Sequence, residues 1–172
     1  MDRRFSWQVA TEKGCLSGLG ECPYTLSCGS YTAANAAYDK LYPQLRERGI
    51  FLFEYGHSLH KAGFYNESNK YLDKALVYCA DPMILNVIGK NYQELHCYNW
   101  AEECLLASAN RLPGRIYPYY LLAKLYADPE FLNREKLEEM KRIVLMKVPK
   151  VHSTAIEEMR REVEEIAKEL EK

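Results

Sequence analysis

No stretch of this 172-residue chain approaches the roughly 18 consecutive apolar residues of a membrane-spanning helix, so no span is predicted in it. The first ten residues, Met1 to Ala10, hold two arginines but no apolar run behind them, which is not the pattern of a secretory signal. Net charge is scarce too. Lys and Arg number 23 against 24 Asp and Glu, and a formal charge of −1 supplies no basic field for nucleic acid. No two of the six cysteines are spaced C-x2-C, which removes zinc-ribbon and thioredoxin-type motifs. Cys97 and Cys104 fall near or within helical positions and read as small buried hydrophobes. The thiols are expected to be reduced, with a bridge among Cys15, Cys22 and Cys28 as the alternative. G-x-S-x-G, G-x4-G-K-[ST] and H-E-x-x-H are absent, and no carboxylate pair stands out from the surface charge. The sequence therefore predicts no catalytic residue and no cofactor.

What the chain has in quantity is tyrosine, 14 residues, and a self-similarity that accounts for several of them. Gly56, Gly89 and Ala123 lie 33 and 34 residues apart and align three stretches. The second stretch reads Leu85, Ile88, Gly89, Tyr92, then Ala101, Leu105 and Pro113. That order resembles the tetratricopeptide (TPR) pattern W-x2-L-G-x2-Y, A-x3-F, P at its own period. The resemblance implies an all-α chain, a right-handed α-α superhelix of helical hairpins that binds other polypeptides.

The pattern has a packing cause. Two antiparallel helices approach most closely where side chains are smallest. Gly56, Gly89 and Ala123 supply the small site on the first helix of each pair, and Ala34, Ser68 and Ala101 its counterpart on the second. Tyr55, Ile88 and Leu122 sit beside the small site, with Leu59, Tyr92 and Tyr126 three residues on. Tyr38, Leu72 and Leu105 follow the small residue of the second helix by four. Tyr31, Tyr65 and Tyr98 are expected to open that helix, after turns marked by Gly29, Gly63 and His96. A lone hairpin cannot bury such faces, so successive hairpins must stack.

Three clear repeats are predicted, over about 50–81, 82–114 and from Tyr117 onward, the last with a lengthened turn from Asp128 to Asn133. A degenerate first repeat precedes them: residues 1–30 form an irregular segment broken by Gly14, Gly18, Gly20 and Pro23, followed by a helix near 31–47. Repeats thus occupy 31–151 and a capping helix 152–172. In that last helix Thr154 and Glu157 match a T-x-x-E capping box. Ile156, Met159, Val163, Ile166 and Leu170 form one apolar stripe, suited to sealing the final repeat. The alternative for the stripe is a homodimer through a short coiled coil.

In TPR proteins the first helix of each pair lines a concave groove where ligands usually lie. Here the matching positions are Phe53, His57 and His60, then Asn86, Lys90 and Gln93, then Tyr120 and Lys124. Aromatics, cations and amides together suit the backbone, carboxylates and apolar side chains of a peptide or protein ligand. A plain solvated helix face is the competing reading. The carboxylate clamp of chaperone-binding TPR domains needs Lys and Asn one turn apart in the first repeat, where this chain has Phe53 and His57, so a chaperone C-terminus is not expected. His57 and His60 share a helix face without a third ligand nearby in sequence, so no metal site is predicted.

Some phrases resemble a narrower group. Arg115-Ile116-Tyr117-Pro118-x-Tyr120-Leu121-Leu122-Ala123-Lys124-Leu125-Tyr126 is the most specific. Tyr38-x2-Leu41-Tyr42-Pro43, Gly49-x-Phe51-Leu52-x-Glu54-Tyr55-Gly56 and Met146-Lys147-Val148-Pro149-Lys150-Val151 accompany it. These are similar to the soluble C-terminal TPR tail of bacterial O-antigen ligase or polymerase-like membrane proteins, over about residues 31–165. The resemblance implies a non-catalytic scaffold in a bacterial cell-envelope polysaccharide system, cytoplasmic or attached to the inner membrane as a soluble tail, with an integral-membrane glycan ligase or polymerase as a partner. It leaves open an accessory domain that binds sugar or lipid-linked substrate.

Overall fold

A computed structural model describes residues 28–149 and 153–170, with side chains from residue 31. Among them are eight helices and no strand: α1 (Cys28–Leu45), α2 (Gly49–Lys61), α3 (Tyr65–Tyr78), α4 (Pro82–Glu94), α5 (Tyr98–Arg111), α6 (Tyr117–Tyr126), α7 (Arg134–Met146) and α8 (Thr154–Leu170). The pairs α2/α3, α4/α5 and α6/α7 are antiparallel hairpins, and each hairpin also packs on the next. The result is the expected solenoid.

The small residues do what their spacing implies. A Cβ added at Gly56 would stand 2.6 Å from Leu72 Cγ, and one at Gly89 would stand 2.8 Å from Leu105 Cγ. Leu72 and Leu105 are fully buried, so neither can swing clear. Ser68, at the small site of α3, donates its hydroxyl to the Gly56 carbonyl at 2.6 Å. Two core clusters result, one around Leu52, Leu72, Ile84 and Ile88, the other around Leu105, Leu122, Leu125 and Val144.

The turns repeat as well. Gly63 N–H bonds the His60 carbonyl and Phe64 N–H the Leu59 carbonyl; His96 and Cys97 do the same to Gln93 and Tyr92. Both sets are the paired bonds of a Schellman ending, which needs a left-handed residue just past the helix. Gly63 fills it at φ 83°, His96 at φ 57°. In the third hairpin the longer turn is pinned by Phe131, stacked on Tyr98 at 5.4 Å and on Tyr126 at 6.3 Å between ring centroids. Asp81 caps α4 by accepting from Met83 N–H at 2.8 Å, ahead of Pro82.

Four local expectations are corrected. α1 begins at Cys28, so Gly29 lies inside a helix and Tyr31 one turn into it. α8 begins at Thr154, and the carbonyl of Ser153 accepts the first helical bonds, from Ile156 and Glu157. Ser153 is therefore at the N-cap position, with Ile156 three residues on, and the capping box read at Thr154 and Glu157 does not hold. Cys97 is disulfide-bonded, not a reduced thiol. Asn86 is the fourth, described below with the site. Cys104 is a buried free thiol whose pKa burial pushes up to about 12. Residues 1–27, with Cys15 and Cys22, lie outside the described residues.

The stripe of α8 turns inward. Val163 and Ala167 are buried, and Ile156 and Leu170 pack against the second core cluster. α8 touches both α6 and α7, as the first helix of a further repeat would.

Candidate functional site

Helices α2, α4, α6 and α8 touch in succession and form the inner row of the solenoid, while α3, α5 and α7 lie outside it. Equivalent positions along the inner row run His57, Lys90 and Lys124, and Phe53, Asn86 and Tyr120. The eight residues expected in the groove divide into two groups.

Four meet at one cleft. Lys90 and Gln93 of α4, with Tyr120 and Lys124 of α6, line a space of about 370 Å³ walled on its far side by Met159 and Glu162 of α8. Glu162 bridges two of the predicted residues. Its Oε1 accepts from Lys124 Nζ at 2.7 Å and its Oε2 from the Tyr120 hydroxyl at 2.5 Å. Burial lowers the Lys124 pKa, but the bonds to Glu162 and Tyr120 outweigh it and the net direction is up. Glu162 moves down, chiefly through the Lys124 hydrogen bond. Lys90 moves down through burial, reinforced by Lys61 and Lys124 and partly offset by Glu94.

The other four sit apart from the cleft. Phe53, His57 and His60 stack in a row along α2, with ring centroids 6.0 and 6.1 Å apart. His60 turns into the seam between the first two hairpins, where its Nδ1 lies 2.6 Å from Asn91 Oδ1. The Asn91 amide nitrogen is committed to Ser68 Oγ at 2.8 Å and Asn69 Oδ1 at 2.7 Å, so Asn91 Oδ1 is the acceptor and His60 Nδ1 carries the proton. Burial holds the His60 pKa down at about 4, which keeps the ring neutral. His57 also moves down, through burial and then Lys61. Asn86 is only 2% exposed, because α4 is packed from both sides and buries every residue from Ile84 to Gly89. It does not offer an amide on an open face: its nitrogen contacts Met83 Sδ at 3.6 Å, and its oxygen has no hydrogen-bond partner among the described residues.

Two features escaped the sequence. Tyr117 stacks beside Tyr120, 6.1 Å between centroids, and adds a second ring to the cleft. The contribution of α8 was missed because it lies outside the repeat register. Asn91 did leave a signal, an amide set between the repeat's Gly89 and Tyr92. Among the described residues no group of three His, Cys, Asp or Glu is placed to hold a metal ion, and no helix is long and apolar enough to cross a membrane.

No family model and no curated protein matches the chain. Solved structures do. A crystal structure of MamA is 18% identical over 81% of this chain and 86% of that chain, with a TM-score of 0.57. MamA 41-end from Desulfovibrio magneticus RS-1 is 16% identical over 78% and 68%, at 0.59. The CopN-Scc3 complex is 16% identical over 87% and 91%, also at 0.59. At these identities the likeness establishes the fold: the chain is an all-α, TPR-like helical solenoid.

Proposed function

We propose that the chain is a non-catalytic scaffold that binds a peptide or protein segment along its inner helical row. The observation that carries this reading is the cleft between α4, α6 and α8, where Lys90, Lys124, an amide and two tyrosine rings share one concave surface with the carboxylates Glu94, Glu158 and Glu162. Those groups match the backbone carbonyls, acidic groups and apolar side chains of a polypeptide, and none is arranged as a nucleophile and base. The setting, a bacterial O-antigen or polysaccharide system with an integral-membrane ligase or polymerase as partner, rests on the Arg115–Tyr126 phrase.

The stacked pair Tyr117 and Tyr120 favours a second reading, in which the same cleft holds a sugar or lipid-linked glycan against its rings. A random-peptide display library tests the two. Peptides selected on the protein should lose binding to Gln93→Trp, which fills the cleft, and keep it with Leu106→Ser on the exposed face of α5. Enrichment of no cleft-dependent peptide, together with retention of cell-envelope glycan by the wild type but not by Gln93→Trp, would favour the glycan reading.

A further inference from the structure

We infer that the peptide bound in this groove is acidic, and that Lys90 receives one of its carboxylates. This rests on the groove reading above and specifies its ligand. The structure contains an internal template for the contact. Glu162 holds Lys124 at 2.7 Å and Tyr120 at 2.5 Å, so this face already accommodates a carboxylate between a cation and a neighbouring donor. Lys90 is the equivalent of Lys124 one helix back along the inner row, with Gln93 one turn away as the second donor.

Lys90 lacks what Lys124 has. It is half-buried and makes no hydrogen bond or ion pair among the described residues. Lys61 and Lys124 both act against its charge, and Glu94 offsets only part of that. His57, the next position along the row, is pushed toward its neutral form first by burial and then by Lys61 and Lys90, with Glu54 opposing. A partly desolvated ammonium facing other cations is unfavourable until an anion joins it. A carboxylate from outside would complete at Lys90 the arrangement that Glu162 completes at Lys124. The position belongs to the second repeat, so the absence of a Lys and Asn pair at Phe53 and His57 does not bear on it.

The probe is a short fluorescein-labelled amphipathic peptide of Glu and Leu, compared with a counterpart in which every Glu is Gln, titrated against the full chain by anisotropy. The Glu peptide should bind about tenfold or more tighter than the Gln peptide. Lys90→Gln should weaken the Glu peptide about tenfold, Lys90→Arg should keep it within about threefold, and Lys74→Gln on outer helix α3 should change nothing. A circular-dichroism melt confirms that each variant folds. Equal binding of the two peptides, no binding by either, or equal losses from Lys90→Gln and Lys74→Gln would overturn the inference. Library peptides that need Gln93 yet carry no Asp or Glu would also overturn it while leaving the groove reading intact.

Discussion

The Gly89 backbone lies so close to Leu105 that a single added carbon would stand 2.8 Å from the leucine Cγ. Leu105 has no exposed surface, so the contact fixes how near α4 and α5 can come. Gly89→Ala gains helix propensity of roughly 1 kcal/mol but forces Leu105 into a packed core. A net loss of about 1–2 kcal/mol is expected from urea unfolding, and several kcal/mol for Gly89→Leu. Gly114→Ala, with nothing within 4 Å of its Cβ, should stay within about 0.5 kcal/mol of wild type.

The left-handed turn positions should differ in their tolerance. Gly63 sits at φ 83°, where a Cβ is strained, so Gly63→Ala should cost about 1 kcal/mol. His96 already bears that strain at φ 57°, and its ring meets Tyr98 and Glu130 only at an exposed surface. His96→Gly should therefore change stability by less than about 0.5 kcal/mol, read from paired thermal melts.

His60 predicts a pH dependence with a definite sign. Its folded pKa, about 4, lies below the ordinary value of 6.5, so between these values the unfolded chain binds the extra proton. Stability from this group is complete above about pH 6.5 and declines as the pH falls toward 4, by on the order of 3 kcal/mol. His57 acts in the same direction. Denaturant unfolding at pH 7 and pH 4.5 should show a smaller difference for His60→Gln than for wild type. An unchanged difference would mean that burial in the seam does not hold the ring neutral.

Glu162 should act as an internal competitor. The pair with Lys124 is exposed on both sides, so Glu162→Gln should cost no more than about 1 kcal/mol. The same change frees Lys124 and Tyr120, and an acidic peptide should then bind several-fold tighter, measured by anisotropy.

The hairpins were legible because their determinants are periodic. Gly56, Gly89 and Ala123 report the close approach directly, and Gly63 and His96 report the turn at the same interval. The cleft was legible in half. Lys90, Gln93, Tyr120 and Lys124 follow from position in the repeat, since the inner face of each first helix is set by stacking. Asn86 and His60 share that face on paper, but the first is covered by the packing of α4 and the second turns toward Asn91. Such choices depend on which neighbour offers a hydrogen bond, and Asn91 is 31 residues from His60. The wall supplied by α8 depends on how a helix outside the repeat docks on α6 and α7, which no spacing within the repeats encodes.

The most direct test of the central claim, that the inner row is the binding surface, is an amide chemical-shift map of the isotope-labelled protein titrated with a selected peptide. Saturable shifts should concentrate on Lys90, Gln93, Tyr120, Lys124 and the Met159–Glu162 turn of α8. Shifts confined to α3, α5 and the outer face of α7 would contradict it.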